Sequence, residues 1–448
     1  MAQHDGFRRW MGSGLLVSLV TCHLALAAGG VARADEPSNA ALLAEIQALK
    51  TRLAQLEAKV GTSNPSFSSE PAGGPSKPGA PTLQLPSGLS GLQMSGYVDT
   101  SYIMNLEQAD AGKGRATRAR TFDTQPNGFT PNAFNLALEK PLSDESLIGF
   151  RTDILAGTDA QIIHSTGLGA PAGAGDAVES FDLEQAYAML RVPVGKGVDI
   201  KVGKFVTLWG SEVIRSMDNW NFSRSYMFGF SIPFTHTGAL VSYPIFGDKG
   251  SATIGVVNGW DTVVENNQFK TMLGSVSLTP IEKVTLTANW ITGAERTADN
   301  RNDRSMIDLV AMWQPAEKLT LMANYDYGHE SGLVHGVAGT SGFDSANWTG
   351  LALYAKYDIT PTWSLAGRGE WFNDMAGVRT GLTGPSGTLE NGINFYGWTL
   401  TSQWKLQEHV LARLEYRRDT ADEHVFFHDK SGFLNYQDTL AAEVIYHF

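Results

Sequence analysis

Cysteine is almost absent from this sequence of 448 residues, which has Cys22 and no other. If the segment around Cys22 is removed during export, the mature chain has no thiol, which excludes disulfides and thiolate metal sites. Basic residues are also scarce, with 34 Lys and Arg against 46 Asp and Glu and a formal net charge of −12. A chain this acidic is not expected to bind nucleic acid.

A hydrophobic run long enough to cross a bilayer as a helix is missing as well. The nearest candidate, residues 15–28, is interrupted by polar residues at 21–23, and a spanning helix needs roughly 20 apolar residues. This run follows basic residues 8–9 and precedes Ala32-Arg33-Ala34, which resembles a cleavage site. The pattern predicts a secretory signal peptide over residues 1–34.

Residues 38–60 repeat apolar side chains every seven residues. Leu42, Leu49 and Leu56 occupy one heptad position, and Ile46, Leu53 and Val60 another. This spacing predicts a short coiled-coil helix, and a helix of this length needs a partner because it is marginal alone in water. Neighbouring subunits are the expected partner; a lone amphipathic helix packed on another surface is the alternative.

Residues 61–93 form a linker rich in Pro, Gly and Ser. About 30 such residues in an extended conformation, at ~3.1 Å per residue, reach at most roughly 90 Å. The helix could therefore stand well into the periplasm, where peptidoglycan is a candidate partner.

From residue 94 to residue 448 the sequence is rich in aromatic residues and alternates between apolar and polar side chains. The segment 277–290 is echoed by 312–325, with looser copies at 357–365 and 404–411. Each copy reads as a strand, a tight turn and a second strand, and longer polar segments separate the copies. Short turns on one side and long loops on the other are typical of bacterial outer-membrane barrels.

Charged residues recur on one face of these strands, opposite an apolar face. A soluble sandwich would also alternate, but it would turn its apolar face inward, whereas a barrel in lipid turns that face outward. The sequence ends in such a strand, in which Leu440, Ala442, Val444, Tyr446 and Phe448 share a face. We expect this to be the closing strand, with Tyr446 and Phe448 as the membrane-insertion signal read by the barrel-assembly machinery.

The fold class is therefore expected to be all-β, a transmembrane antiparallel β-barrel of about 16 strands preceded by the short N-terminal coiled-coil helix. The expected strands are 94–105, 133–141, 147–156, 181–193, 197–207, 236–246, 250–259, 269–279, 282–293, 304–314, 318–328, 347–359, 362–373, 393–406, 409–419 and 436–448. Fourteen or eighteen strands are alternatives. Sixteen strands enclose an aqueous channel, so we expect a bacterial outer-membrane location, with outer-membrane lipid and lipopolysaccharide as partners.

The third long loop, residues 208–235, contains six aromatic residues among four charged ones. The aromatic residues are Trp209, Trp220, Phe222, Tyr226, Phe228 and Phe230, and the charged residues are Glu212, Arg215, Asp218 and Arg224. So many aromatic side chains indicate burial, and the lumen wall is the expected surface. A loop folded inward would narrow the channel and select permeants by size and charge. Packing against a neighbouring subunit is the alternative.

The expected pore wall consists of charged residues on the polar faces of the strands. They are Arg151, Asp153, Lys201, Lys356, Asp358, Arg368, Glu370, Lys405, Arg413, Glu415 and Arg417. If these residues oppose the loop charges across a small gap, the basic residues of the later strands form a local positive stripe. We then expect the channel to show a mild preference for anions or no preference. Ion pairs that only stiffen the wall are an equal alternative.

Four phrases carry a family resemblance: residues 202–214, 221–226, 233–238 and 255–261, the last reading Gly-Val-Val-Asn-Gly-Trp-Asp. Together they resemble the putative beta-barrel porin-2 (OmpL-like) family over roughly residues 95–448. The resemblance implies an outer-membrane porin for passive diffusion of small hydrophilic solutes or ions, without enzymatic activity or cofactor. Membership of a trimeric porin-like class favours a homotrimer.

Two rival functions are weighed against the channel. A structural tether between outer membrane and cell wall would use the heptads and the linker. An outer-membrane hydrolase would need a Ser–His pair, and Ser223 or Ser225 with His236 is the candidate. His424 with His428 lacks a nearby third metal ligand, and Asp299 with Asp303 lacks the spacing of a dedicated calcium loop, so no metal site is expected.

Overall fold

A computed structural model describes residues 91–107, 116–143, 145–168, 180–247, 249–332, 345–382, 392–428 and 432–448. The predicted signal peptide, the coiled-coil helix and residues 61–90 of the linker lie outside these ranges and stay predictions. Within these ranges, no helix is both long and apolar enough to cross a membrane.

Sixteen antiparallel strands close into a barrel, which confirms the expected fold class. The strands are β1 Gln93–Asn105, β2 Gly128–Lys140, β3 Ile148–Ala156, β4 Phe181–Val192, β5 Val198–Val206, β6 Thr235–Ile245, β7 Gly250–Val257, β8 Thr271–Ile281, β9 Val284–Ala294, β10 Asp303–Ala316, β11 Leu319–Ser331, β12 Ser345–Thr360, β13 Trp363–Asp374, β14 Ile393–Gln407, β15 Val410–Ala421 and β18 Tyr436–His447. The short strands β16 Phe426–His428 and β17 Gly432–Leu434 form a separate hairpin before β18.

Each barrel strand pairs with its neighbours in sequence, and β18 pairs with both β15 and β1 to complete the ring. The backbone N–H and C=O groups of each strand thus bond to an adjacent strand around the whole ring, as a sheet in hydrocarbon requires. The observed strand bounds lie within three residues of the expected ones, except that β2 begins five residues earlier.

The apolar face of the strands points outward. On β14, for example, Trp398 and Leu400 are 65% and 57% exposed, whereas their neighbours Thr399 and Thr401 are buried. The same alternation places the charged residues of β13 and β15 inside the barrel, with the exception of Arg418 on the outer face. A barrel with this polarity exposes its apolar side chains to lipid and collects its charges around the lumen.

The two ends of the barrel differ. The seven connections after the even-numbered strands β2 to β14 are short, and those after the odd-numbered strands β1 to β15 are longer. The long connections include helix α1 Thr158–Ile163, 3₁₀ turns at Ser216–Asp218 and Met375–Gly377, and a π-helical turn at Met227–Ser231. This asymmetry is the one expected of an outer-membrane barrel, with the long loops outside the cell.

The last residue completes the seam between β18 and β1. The N–H of Phe448 donates to Gly96 O and the N–H of Gly96 donates to Phe448 O, both at 3.0 Å. A Cβ atom at Gly96 would lie 2.7 Å from the Phe448 ring, so the glycine makes room for it. Tyr446 and Phe448 are exposed on the outer face, as expected, while their role as an insertion signal stays a prediction.

Candidate functional site: the inner loop and its anchors on the barrel wall

The connection between β5 and β6, residues 207–234, runs inside the barrel; we call it the inner loop. Trp209, Tyr226 and Phe228 are at most 3% exposed within a single chain. Tyr226 packs against Phe395 of β14, with ring centroids 5.4 Å apart. The aromatic side chains that indicated burial therefore pack against the inward face of the chain's own wall.

Arg368 of β13 is the central contact between wall and inner loop. Its guanidinium donates to Glu212 Oε1 at 2.7 Å and to the Ser223 carbonyl at 2.6 Å. It also donates to Glu370 on the same strand at 3.1 Å. The Arg368 side chain has no solvent exposure, so its charge is neutralised by the loop and wall carboxylates together.

Two arginines of β15 hold other parts of the inner loop. Arg417 donates to the Arg224 carbonyl at 2.6 Å and to Asp419 at 2.7 Å. Arg413 donates to the Asn219 carbonyl at 2.6 Å and to Glu443 of β18 at 2.8 Å. Carbonyls of an irregular loop lack strand partners, and these guanidiniums supply the donors they need.

Wall carboxylates bind the N–H groups of the same loop. Glu415 accepts from Phe222 N at 2.7 Å and from Ser223 N at 3.0 Å, one bond to each oxygen. Glu370 accepts from Tyr226 N at 2.6 Å. Both signs of wall charge are thus used to satisfy the loop backbone in a low-dielectric interior, where an unpaired group is unfavourable.

The later-strand wall residues do not face the loop across a gap. Arg368, Glu370, Arg413, Glu415 and Arg417 are all at most 6% exposed and touch the loop directly. This differs from the expected arrangement because a buried loop must pair its own polar groups, and the nearest partners are these charges. Their position on the inward face agrees with the alternation in the sequence.

The four predicted loop charges fall into two groups, one buried and one in contact with solvent. Glu212 is buried and also accepts from Ser225 N at 2.7 Å. Arg224 is buried, donates to Ile214 O at 2.9 Å and lies over the Phe122 ring at 5.3 Å. Arg215 and the exposed Asp218 pair at 3.6 Å. Glu212 and Arg224 therefore fix the loop, while Arg215 and Asp218 retain contact with solvent.

The remaining wall residues are not brought into this network. Arg151 pairs with Asp153 at 2.8 Å on β3, and Lys201 of β5 lies over the Tyr187 ring at 4.3 Å. Lys356 and Asp358, 4.0 Å apart on β12, line a cavity of about 230 Å³ beneath Trp220 of the inner loop. Lys405 on β14 is exposed near the end of the barrel with short turns.

Residues that the sequence analysis did not select anchor the start of the inner loop. Asp308 of β10 accepts from Gly210 N at 3.3 Å, and Asn324 of β11 accepts from Ser211 N at 2.9 Å. Their inward position could have been read from strand alternation. Arg120, in the first long loop, pairs with Asp419 at 2.7 Å, a contact between distant segments for which the sequence gives no signal.

The wall on the β1–β4 side of the inner loop is acidic. Asp99 accepts from Asn132 at 3.0 Å and Glu184 accepts from Asn135 at 3.0 Å. Asp159 of α1 is 4% exposed. Burial raises the pKa of Asp159 well above its ordinary value, against the attraction of Arg224. Carboxyl groups therefore gather on this part of the lumen wall, next to the part where guanidiniums and carboxylates together hold the loop.

The candidate Ser–His pair is not formed. The ring nitrogens of His236 contact Thr207 Oγ1 at 3.1 Å and the Gly259 carbonyl at 2.9 Å. Ser223 Oγ accepts from Arg368 at 3.2 Å, and Ser225 Oγ accepts from Phe228 N at 3.1 Å. In the part of the chain that the structure describes, no group of three or more His, Cys, Asp or Glu is arranged to hold a metal ion.

Comparisons with known proteins agree with this architecture. A sequence model of the family described as Putative beta-barrel porin-2, OmpL-like, matches residues 91–448. The outer membrane channel DcaP of Acinetobacter baumannii is similar in structure, with a TM-score of 0.52 at 10% identity over 80% of this chain and 97% of DcaP. The trimer form of OmpT of Vibrio cholerae gives 0.50 at 9% identity over 80% and 99%. No curated protein matches the sequence.

Proposed function

Because this chain belongs to the putative beta-barrel porin-2, OmpL-like family, we propose that it is a non-enzymatic porin that lets small hydrophilic solutes or ions diffuse passively. The channel is the water-filled lumen of the outer-membrane barrel, and the inner loop narrows it. Sixteen strands enclose more space than side chains alone can fill.

The observation that carries this proposal is the anchoring of the inner loop to one side of the lumen. Arg368, Arg413 and Arg417 on β13 and β15 bind loop carbonyls, and Glu370 and Glu415 bind loop N–H groups. A loop held at so many points keeps a fixed position across the lumen. It therefore sets the size of the path as a rigid constriction.

The proposed charge selectivity depends on which charged side chains do not anchor the inner loop. The positive stripe of the later strands is neutralised where it contacts the loop, whereas Lys356, Lys405 and Lys201 lie away from that network. We propose a mild anion preference or none, with Arg215 and Asp218 as the loop charges nearest to passing ions.

The assembly is proposed to be a homotrimer, a form in which the structurally similar OmpT has been described. Residues 38–60 would extend into the periplasm as a coiled coil on the linker 61–93, near peptidoglycan. The outer surface would contact lipid and lipopolysaccharide, and the strand ending in Tyr446 and Phe448 would engage the barrel-assembly machinery.

Planar-bilayer recording of the purified full chain tests the channel against its two rivals. Stable conductance steps in KCl support the channel. Silence accompanied by hydrolysis of the bilayer lipid would instead identify an enzyme, and silence with retention on peptidoglycan would identify a tether. Reversal potentials in asymmetric KCl then give the ion preference, and a strong preference for either sign would contradict the proposed selectivity.

A further inference from the structure

A cluster of arginines and tryptophans lies on the lumen side near the long loops; we call it the arginine–tryptophan cluster. It consists of Arg296, Arg304, Arg379, Trp260 and Trp348. Arg304 and Trp348 are on the inward faces of β10 and β12, while the other three are on the loops that follow β7, β9 and β13.

The two indoles fix the positions of two guanidiniums. Arg304 and Arg379 lie 5.0 and 5.2 Å from the centroid of the same Trp260 ring, and Arg379 lies 5.1 Å from that of Trp348. Trp348 packs edge-on against Trp260, with centroids 6.2 Å apart. Cation–π contacts of this kind hold arginine side chains in place, so two like charges are kept near each other.

Trp348 is itself held firmly. Its indole N–H donates to the carbonyl and hydroxyl of Ser231, at 3.2 and 3.1 Å, at the end of the inner loop. A Cβ atom at Gly328 on β11 would lie 2.0 Å from the Trp348 ring, so this glycine admits the indole. The cluster is thus built onto the inner loop rather than onto a free loop tip.

One carboxylate pairs with two of the three guanidiniums. Glu330 pairs with Arg304 at 2.9 Å and with Arg296 at 3.2 Å. The other nearby carboxylates accept bonds mainly from backbone N–H groups. Asp261 accepts from Phe234 N at 2.7 Å, Glu295 from Trp260 N at 2.8 Å, and Asp374 from Thr380 N at 2.7 Å. Among the described residues, Arg379 is the guanidinium of the cluster that has no carboxylate paired with it.

Several donors of the cluster have no acceptor among the described residues. Arg379 Nε donates to the Phe230 carbonyl at 2.6 Å, and its two terminal nitrogens have no acceptor among the described residues. The indole N–H of Trp260, a residue 6% exposed, also lacks an acceptor there. Burial, and next the charge of Arg304, lowers the pKa of Arg379 to about 10, while Asp374, Glu330 and Asp261 act in the opposite direction.

We propose that the arginine–tryptophan cluster binds the carboxylate or phosphate group of a small anionic solute as it enters the lumen. A planar guanidinium matches such groups with paired N–H donors, and Arg379 and Arg304 present two of them from fixed positions. The site lies beside residues 230–231 of the inner loop, so it holds the anion at the constriction. Its transport role rests on the proposed channel function.

Single-channel recording with succinate as the probe tests this site. Succinate, added to each side in turn, should reduce the KCl conductance of the full-length channel in a saturable way, and uncharged succinamide should not. Arg379→Gln should raise the half-blocking concentration about tenfold, the loss expected for a charge-assisted hydrogen bond. Arg301→Gln is the matched control, because it removes an exposed arginine three residues before Arg304 and should leave that concentration within about twofold.

Arg304→Gln provides a second variant if Arg379→Gln does not fold, and inorganic phosphate provides a second probe. Calorimetry of succinate binding in detergent supplies a readout independent of conductance. Normal KCl conductance with neither block nor binding overturns the anion site and leaves the channel standing. Binding without any KCl conductance overturns the channel and retains the site. Equal effects of the Arg301 and Arg379 substitutions would show surface charge alone and overturn the proposal.

Discussion

At the scale of single residues, Arg368 illustrates why a charge can be buried in this lumen. The guanidinium has carboxylates of Glu212 and Glu370 within 3.1 Å and a loop carbonyl at 2.6 Å. A buried ion pair of this kind adds little to the stability of the fold when compared with apolar packing. Removing one partner is nevertheless destabilising, because the other charges lose the group that balanced them. Its importance is therefore in keeping the inner loop in one position.

Arg368→Met should destabilise the barrel by about 3–5 kcal/mol, because it removes the guanidinium that pairs with two buried carboxylates and a carbonyl. The expected result is a lower unfolding midpoint in detergent together with noisier channel currents. Lys270→Met is the control, since Lys270 forms an exposed pair with Glu265 and exposed pairs contribute little. An unchanged midpoint for Arg368→Met would mean that this anchor does not stabilise the fold.

Asp159 gives a pH dependence with a definite sign. Burial raises its pKa in the folded state above the ordinary value near 3.8. Between the ordinary pKa and the raised pKa, the folded state therefore binds more protons than the unfolded state. Stability must therefore fall as pH rises through that interval. Asp159→Asn should reduce the loss of thermal midpoint between about pH 4 and pH 8.

Asp299→Asn is the control for this measurement. A hydrogen bond from Asn302 holds the pKa of the exposed Asp299 below its usual value, so its contribution is present at neutral pH and is lost on acidification. Removing it should not reduce the loss at high pH. A pH profile of Asp159→Asn identical to that of the native chain would contradict the assignment.

Single-residue roles were the least predictable part of the sequence. Alternation correctly placed Arg368, Glu370, Arg413, Glu415 and Arg417 inside the barrel. It could not show that they bind loop backbone groups, because those contacts join residues as far as 144 and 194 positions apart. Whether these residues also act on permeants stays a prediction.

At the scale of elements, strands were predictable because a strand with one face outward and one face toward the lumen must alternate apolar and polar side chains. β2 was the exception, expected to start at 133 and observed from 128. Proline argues against a strand interior, yet Pro131 lies in β2 beside the register shift at Asp99 and Thr100 of β1. A bulge there leaves one residue of β2 without a partner, so the strand continues past the proline.

The β16–β17 hairpin was not predicted, because strands of three residues are too short to show an alternating pattern.

The inner loop is the element whose removal should be most informative. Deleting residues 212–230 removes the segment bound by Arg368, Arg413 and Arg417, so single-channel conductance should increase severalfold. Deleting 297–300 from the exposed loop after β9 is the matched control and should leave conductance unchanged. Equal conductance for both deletions and the native chain would remove the inner loop as the constriction.

At the scale of the whole molecule, the sequence predicted a closed sixteen-stranded barrel because three patterns agreed. Alternation predicted which side chains face outward and which face the lumen, and the repeated hairpins predicted the short turns. The alternating segment 436–448 predicted the strand that closes the barrel, and it pairs with β1. The coiled-coil helix and linker are supported by heptads and composition alone, and they remain predictions about the periplasmic side.

The central claim is that a water path passes the inner loop from one end of the barrel to the other. Swelling of proteoliposomes in iso-osmotic solutions of uncharged sugars of increasing size tests it most directly. We predict swelling whose rate falls steeply with solute size, and a larger size limit after deletion of 212–230. Swelling no faster than that of protein-free liposomes, from protein shown to be folded and inserted, would contradict it.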